Sequence, residues 1–319
     1  MAKHGRGEDE LAGVTRRKLL ACAPWAGAGV VWGLAGGVPY AMGLLGEAQA
    51  QPLGAFSFVQ ISDSHIGFSK PFNPDARATL REAMAKIAAL PRKPDFIVHT
   101  GDVSQLSKDE QWADCDEITK TAGVPVFHIP GEHDMLDEGN GKAFFDRYNK
   151  ANGAQNAGGW YSFNHAGVHF VALINVANLK AGGEGSLGPQ QLAWLKKDLA
   201  SYGPSTPIVV FAHIPLWALY PEWGWGTDDG AQALAMMRRF GSVTVLNGHI
   251  HQIQQKVEGR VTFHTALSTA FPQPAPGAPG QQPGPMAVPA DKLRSVLGIR
   301  DVRIAATGHP LPLVDQTLA

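Results

Sequence analysis

The sequence predicts an α/β protein. Strands and helices alternate from residue 55 onward, metal-chelating side chains recur where those strands end, and the composition is that of a folding chain. Of the 319 residues, 44% are hydrophobic and 17% charged, which supplies a core and excludes wholesale disorder. Lys and Arg total 27 against 28 for Asp and Glu, so no global basic field exists and no nucleic-acid partner is indicated. Only Cys22 and Cys115 are present, which excludes a disulfide framework and a cysteine-built zinc site.

The elements follow in order. Residues 55–61 form an apolar run. In 75–90, Leu80, Ala83, Met84, Ile87 and Leu90 recur at helical spacing, with Asp75 as cap and Pro91 as stop. A strand at 95–100, a polar helix at 108–121 and a strand at 124–129 complete the first alternation. Residues 160–164 and 168–174, joined through Ala166-Gly167, read as a hairpin and imply a second sheet segment. A helix at 189–202 leads to a strand at 207–212. A helix at 232–240 then leads to a strand at 243–246, and 253–257 with 260–265 closes the series as a hairpin. Residues 273–290 are rich in Pro, Gly and Gln and read as a surface excursion; 291–319 hold too few apolar residues to fold alone and should pack on the main body.

Residues 1–50 form an export address. Arg16-Arg17 precede 19–46, which carry no charged residue, and Ala48-Gln49-Ala50 offers a small-x-small cleavage pattern. The layout resembles a twin-arginine signal, so the twin-arginine export machinery is the expected partner and the periplasm or exterior the expected location. The competing reading is an uncleaved anchor, disfavoured by Pro24, Pro39 and many glycines. The catalytic domain is then 51–272.

Five short segments carry the chemistry: Asp63-Ser64-His65, Gly101-Asp102, Gly131-Glu132-His133-Asp134, His213 and Gly248-His249-Ile250-His251. Each follows a predicted strand, and in an open α/β sheet the loops at strand carboxyl ends form the ligand crevice. Taken singly, each is a common turn or cap element. Together they mix carboxylate and imidazole, which suits Mn, Fe or Zn, and two such ions about 3.5–4 Å apart can clamp a phosphoryl group. Alternating His249 and His251 on an extended segment would point the same way. His99, His128, His165 and His264 lie in or beside apolar strands and read as structural.

This ordered set resembles the calcineurin-like metallophosphoesterase family over about residues 55–265, nearest its cyclic-nucleotide-phosphodiesterase-like branch. The resemblance implies a four-layer αββα sandwich, two facing mixed β-sheets flanked by helices. It also implies two metal ions, one held by Asp63, His65, Asp102 and His251, the other by Asp102, residue 132, His213 and His249, with Asp102 as the bridge. Hydroxide between the metals would be the nucleophile, His133 would serve the leaving oxygen, and Asp134 would orient the His133 imidazole. Glu132 departs from the pattern, which carries Asn there. Either Glu132 coordinates, favouring a trivalent ion or monoanionic diesters, or it turns away and leaves the second ion under-coordinated.

The expected activity is hydrolysis of a small-molecule phosphate ester, a phosphodiester ahead of a monoester, with a non-catalytic metal- or phosphate-binding protein as the competing class. Trp217, Tyr220, Trp223 and Trp225, in an aperiodic stretch after His213, are placed at the site mouth, either stacking on substrate or packing their own loop. Residues 182–185 read as a mobile surface turn.

Overall fold

The computed structural model describes residues 30–35, 38–43, 55–304 and 313–319. The chain divides into two compact units, Met1–Ala48 and Gln49–Ala319. In the first unit, β1 (Val30–Ala35) pairs antiparallel with β2 (Val38–Gly43). The remainder of the export-address reading, including Arg16-Arg17 and the cleavage pattern, lies outside the described residues. Among the described residues no helix is long and apolar enough to cross a membrane.

The second unit is built from two mixed sheets. Its elements are β3 (Phe56–Ile61), α1 (Ala76–Ala88), β4 (Phe96–His99), α2 (Asp109–Lys120), β5 (Val126–His128), α3 (Lys142–Asn152), β6 (Tyr161–His165) and β7 (Val168–Ala172). They continue with α4 (Gly188–Leu199), β8 (Ile208–Phe211), α5 (Gly230–Met237), β9 (Val243–Asn247), β10 (Gln255–Glu258), β11 (Val261–Thr265), α6 (Leu293–Val296), β12 (Gly298–Ile304) and β13 (Leu313–Thr317). The first sheet runs β13-β12-β3-β4-β5, the second β10-β11-β9-β8-β7-β6. Within them β3, β4 and β5 are mutually parallel, as are β7, β8, β9 and β11.

Period-two side-chain alternation explains the layers. Phe58 and Phe96 of the first sheet meet Phe170 and Phe211 of the second in one inter-sheet core, where Phe58 and Phe96 stack at 4.9 Å. The alternate residues Val59, Ile61 and Ile97 face α1, α2 and α3 through Leu80, Met84, Trp112 and Phe144. On the far side, Ile208, Val210 and Val245 face α4 and α5 through Leu195, Leu199 and Met237. Helices, sheet, sheet, helices is the expected four-layer sandwich.

Three features differ from expectation. α3 was not foreseen: its apolar positions are few (Phe144, Phe145, Tyr148), yet they seat it against β5 and α2. The C-terminal segment does more than pack on the body, since β12 pairs with β3 and β13 extends the first sheet. Arg300 of β12, 1% exposed, donates to both carboxylate oxygens of Asp315 at 2.8 and 3.0 Å, to Gln60 Oε1 at 3.2 Å and to the Thr265 carbonyl at 2.7 Å, tying the two sheets together. Third, the excursion after residue 270 crosses the functional site, as described below.

Candidate metal centre

All five chelating segments follow carboxyl ends of parallel strands, β3, β4 and β5 in one sheet and β8 and β9 in the other. The first two loops zip together: Asp63 N donates to Gly101 O, His65 N to Asp102 O and Ile66 N to Val103 O, at 2.9–3.0 Å. Close approach needs glycine at two points. A Cβ on Gly101 would lie 2.3 Å from His213 Nδ1, and one on Gly131 would lie 2.1 Å from Asp102 Oδ1. Asp63, His65, Asp102, His249 and His251 all have positive φ, between 41° and 69°, so these loops turn sharply at the chelating residues themselves. The segment carrying His249 and His251 is therefore not extended as expected; left-handed turns at both residues, not strand alternation, aim them.

The side chains form two main groups, and Asp102, Glu132 and His133 make a third that overlaps both. Asp63, His65, Asp102 and His251 bring ligand atoms together in one, and Glu132, His213 and His249 in the other. Asp102 lies between them: Oδ2 is 3.4 Å from His65 Nε2 and 3.5 Å from His213 Nε2, while Oδ1 accepts from His133 N at 2.9 Å. Glu132 does not turn away. Its Oε2 is 2.9 Å from His213 Nε2 and its Oε1 is 2.9 Å from His249 Nδ1.

Backbone carbonyls set the ring tautomers. His213 Nδ1 donates to Thr100 O at 2.7 Å and His251 Nδ1 to Phe271 O at 2.6 Å, which leaves each Nε2 as the nitrogen that faces the carboxylates and would bind an ion once deprotonated. Asp63 Oδ2 and His249 Nε2 are buried without a hydrogen bond, while His213 Nε2 and His249 Nδ1 face carboxylate oxygens alone. Buried polar atoms without partners are costly, and a cation among them would satisfy this set. Mixed carboxylate and imidazole donors fit two borderline ions of the Mn, Fe or Zn kind.

The electrostatics agree. Burial would raise the Glu132 carboxyl, but the imidazoles of His249 and His213 hold it well below the usual carboxylate range. Burial opposes protonation of His213, yet Asp102 and Glu132 raise it well above an ordinary histidine. Three carboxylates thus create a negative potential that draws positive charge. His65 behaves otherwise: burial outweighs Asp102 and lowers it to about 3, so it stays neutral, as a ligand must.

His133 stands at the edge of this cluster, its ring 4.7 Å from that of His65. Its Nδ1 donates to Gln105 O at 2.9 Å. Asp134 does not orient the imidazole as expected. Its Oδ1 accepts from Ser104 N, Ser104 Oγ and Trp112 Nε1, and its Oδ2 from Val103 N and Gly131 N, at 2.8–3.1 Å. It clasps the loops after β4 and β5, and Gln105 takes the role assigned to it.

The cluster opens into a cleft of about 300 Å³. Trp223 and Trp225 line it, but Trp217 and Tyr220 do not. Trp217 packs on Phe263 at 4.8 Å in the core behind the second sheet, and Tyr220 stacks edgewise on Trp223. Trp225 is 1% exposed and forms a wall rather than a stacking platform. Gly183, from the glycine-rich turn, also lines the cleft.

Gln105, Phe271 and Gln273 were missed as site residues. The ring of Phe271 lies 4.6 Å from those of His65 and His251, and Gln273 Nε2 donates to His249 O at 2.7 Å. The excursion's low complexity hid this; the only sequence cue was that it follows the last hairpin of the catalytic pattern. As expected, His99, His128, His165 and His264 belong to neither ligand group.

A model of the calcineurin-like phosphoesterase family matches residues 56–253. The chain is 26% identical over 223 residues to a probable glycerophosphodiester phosphodiesterase of Arcobacter nitrofigilis, covering 66% of this chain and 77% of the relative. It is 26% identical over 200 residues to a 3′,5′-cyclic adenosine monophosphate phosphodiesterase of Haemophilus influenzae, covering 61% and 69%. Among solved structures, a dimetal phosphatase from Danio rerio superimposes with a TM-score of 0.64 at 15% identity, covering 84% of this chain and 97% of that one, a likeness of fold.

Proposed function

The chain belongs to the calcineurin-like phosphoesterase family and is a metal-dependent phosphoric ester hydrolase, and from that premise we propose that its substrates are phosphodiesters. One observation carries the reading: Asp102 Oδ2 lies 3.4 Å from His65 Nε2 of one ligand group and 3.5 Å from His213 Nε2 of the other, at a cleft that His133 also lines. The phosphodiesterase names of two relatives support the diester assignment.

Asp63, His65, Asp102 and His251 would hold one ion; Asp102, Glu132, His213 and His249 would hold the other. A bound ion pair supplies Lewis acidity toward phosphoryl oxygens and lowers the pKa of water. The chain's own residues do the rest. The carbonyls of Thr100 and Phe271 fix the imidazoles of His213 and His251, so two ligands are rigid before substrate arrives. Burial lowers the basicity of His133, but Asp102 and Glu132 outweigh it and raise its pKa. With Nδ1–H committed to Gln105 O, the other ring nitrogen of His133 holds the proton it would deliver to the leaving-group oxygen.

Export through the twin-arginine route is part of the same proposal, resting on Arg16-Arg17 and the uncharged stretch behind them. N-terminal sequencing of the protein recovered from its host tests it: a chain starting near residue 51 supports export, and an intact N-terminus refutes cleavage. For the chemistry, metal-loaded protein is assayed with bis(p-nitrophenyl) phosphate beside His133→Ala. We expect turnover that falls about 10²–10⁴-fold in the variant at unchanged metal content. A metal-loaded wild type that cleaves no phosphodiester refutes the assignment.

A further inference from the structure

We propose that Glu132, acting with a cleft wall that carries no Lys or Arg among the described residues, makes this site select singly charged phosphodiesters with an apolar or aromatic ester arm against doubly charged monoesters. The inference deepens the phosphodiesterase reading and rests on it.

Glu132 places a third carboxylate in the centre beside Asp63 and Asp102, between His213 and His249 at 2.9 Å from each. Two divalent ions, three carboxylates and one hydroxide would sum to about zero, where two carboxylates would leave about one positive charge. Every negative charge on a substrate then meets one positive unit fewer than it would with a neutral residue at 132, so a dianion loses more than a monoanion, and His133 is the cation at hand among the described lining residues. Elsewhere such a charge is met by Lys or Arg, but among the described residues no Lys or Arg side chain lines this cleft.

The uncharged wall has its own chemistry. Leu179, Trp223, Pro283 and Pro285 are apolar or aromatic, with Gln105 and Gln273 as neutral polar groups among them. Leu179 is 43% exposed, a large apolar side chain that a substrate arm would cover. At about 5 Å and an effective dielectric constant between about 80 and 20, one extra unit charge on the substrate is disfavoured about four-fold to a few hundred-fold.

The test uses the Mn-loaded full-length protein, with calorimetric binding of dimethyl phosphate, diphenyl phosphate and orthophosphate alongside hydrolysis of bis(p-nitrophenyl) phosphate and p-nitrophenyl phosphate. We expect wild type to favour the singly charged member of each pair at a pH where the monoester is dianionic. Glu132→Gln and Glu132→Asn should shift both ratios toward the dianion by about four-fold or more. Leu179→Lys, which adds a cation and touches no ligand, should shift them the same way at unchanged metal content. Trp223→Ala should weaken diphenyl phosphate but not dimethyl phosphate.

Equal wild-type affinity for orthophosphate and dimethyl phosphate overturns the charge selection, as does an unchanged ratio in Leu179→Lys. Equal affinity for dimethyl and diphenyl phosphate overturns the apolar arm. If the Glu132 variants lose metal, wild type and Leu179→Lys still decide. Absence of all hydrolysis with metal bound refutes the phosphodiesterase reading instead, and the binding ratios still judge the charge selection separately.

Discussion

Substituting Asp134 by Asn separates a loop clasp from an imidazole orienter. The carboxylate accepts five hydrogen bonds, three on Oδ1 and two on Oδ2. An amide turned to keep Oδ1 as its oxygen preserves those from Ser104 N, Ser104 Oγ and Trp112 Nε1. Its NH2 then confronts the backbone N–H groups of Val103 and Gly131, two buried donors facing a donor. At about 1.5–3 kcal/mol for each lost bond to a charged acceptor, the cost is about 3–6 kcal/mol. Burial and the charge of Asp102 raise the Asp134 carboxyl, which offsets part of that gain and favours the lower end. Differential scanning calorimetry should show Tm lowered by about 6–12 °C for about 3 kcal/mol in a domain of this size. The pH profile of kcat/KM, measured below that Tm at saturating metal, should move only slightly, because Asp134 accepts no hydrogen bond from the His133 ring and reaches it by charge alone, behind Asp102 and Glu132. A Tm within about 2 °C of wild type together with a displaced limb would restore Asp134 to the imidazole and refute the clasp.

Three further outcomes follow from the same geometry. Chelating the metals should lower Tm, since Asp63, Asp102 and Glu132 then face one another uncompensated; restoring Mn or Zn to about 100 times its Kd should return about 2.7 kcal/mol, readable as a Tm shift that scales with free metal. Arg300→Met strands Asp315, Gln60 Oε1 and Thr265 O, and should cost about 3–5 kcal/mol in urea unfolding; a loss below about 1 kcal/mol would show that β12 and β13 dock without it. Burial lowers His128 to about 4, below its ordinary value of about 6.5. The unfolded chain therefore takes up the proton first as pH falls from about 6.5 to 4, and stability falls with it by up to about 3 kcal/mol. His128→Phe, which keeps a ring against Tyr148, should flatten that slope; identical slopes would refute the assignment.

Much of this was readable in the chain because the informative residues obey a local rule. Asp63, His65, Asp102, Glu132, His213, His249 and His251 each follow a strand whose apolar run is itself legible, and parallel strands deliver their carboxyl ends to one edge. What stayed hidden was non-local or made by the backbone. The carbonyls of Thr100 and Phe271 position imidazoles, and no sequence pattern marks a carbonyl. Asp134 sits next to His133 in the chain, which invited a pairing that the 3-10 turn at Glu132–Asp134 sends in opposite directions. The order β13-β12-β3 brings the C-terminus beside the first strand of the second unit, a pairing across more than 230 residues that periodicity cannot reveal.

Of the eight non-glycine residues with positive φ among those described, five are chelating residues. At such positions a change to glycine relieves the chain in the same stroke that deletes a ligand. Loss of chemistry and conformational ease are therefore coupled at these five positions: the turns that aim the ligands are the turns the backbone would most readily give up.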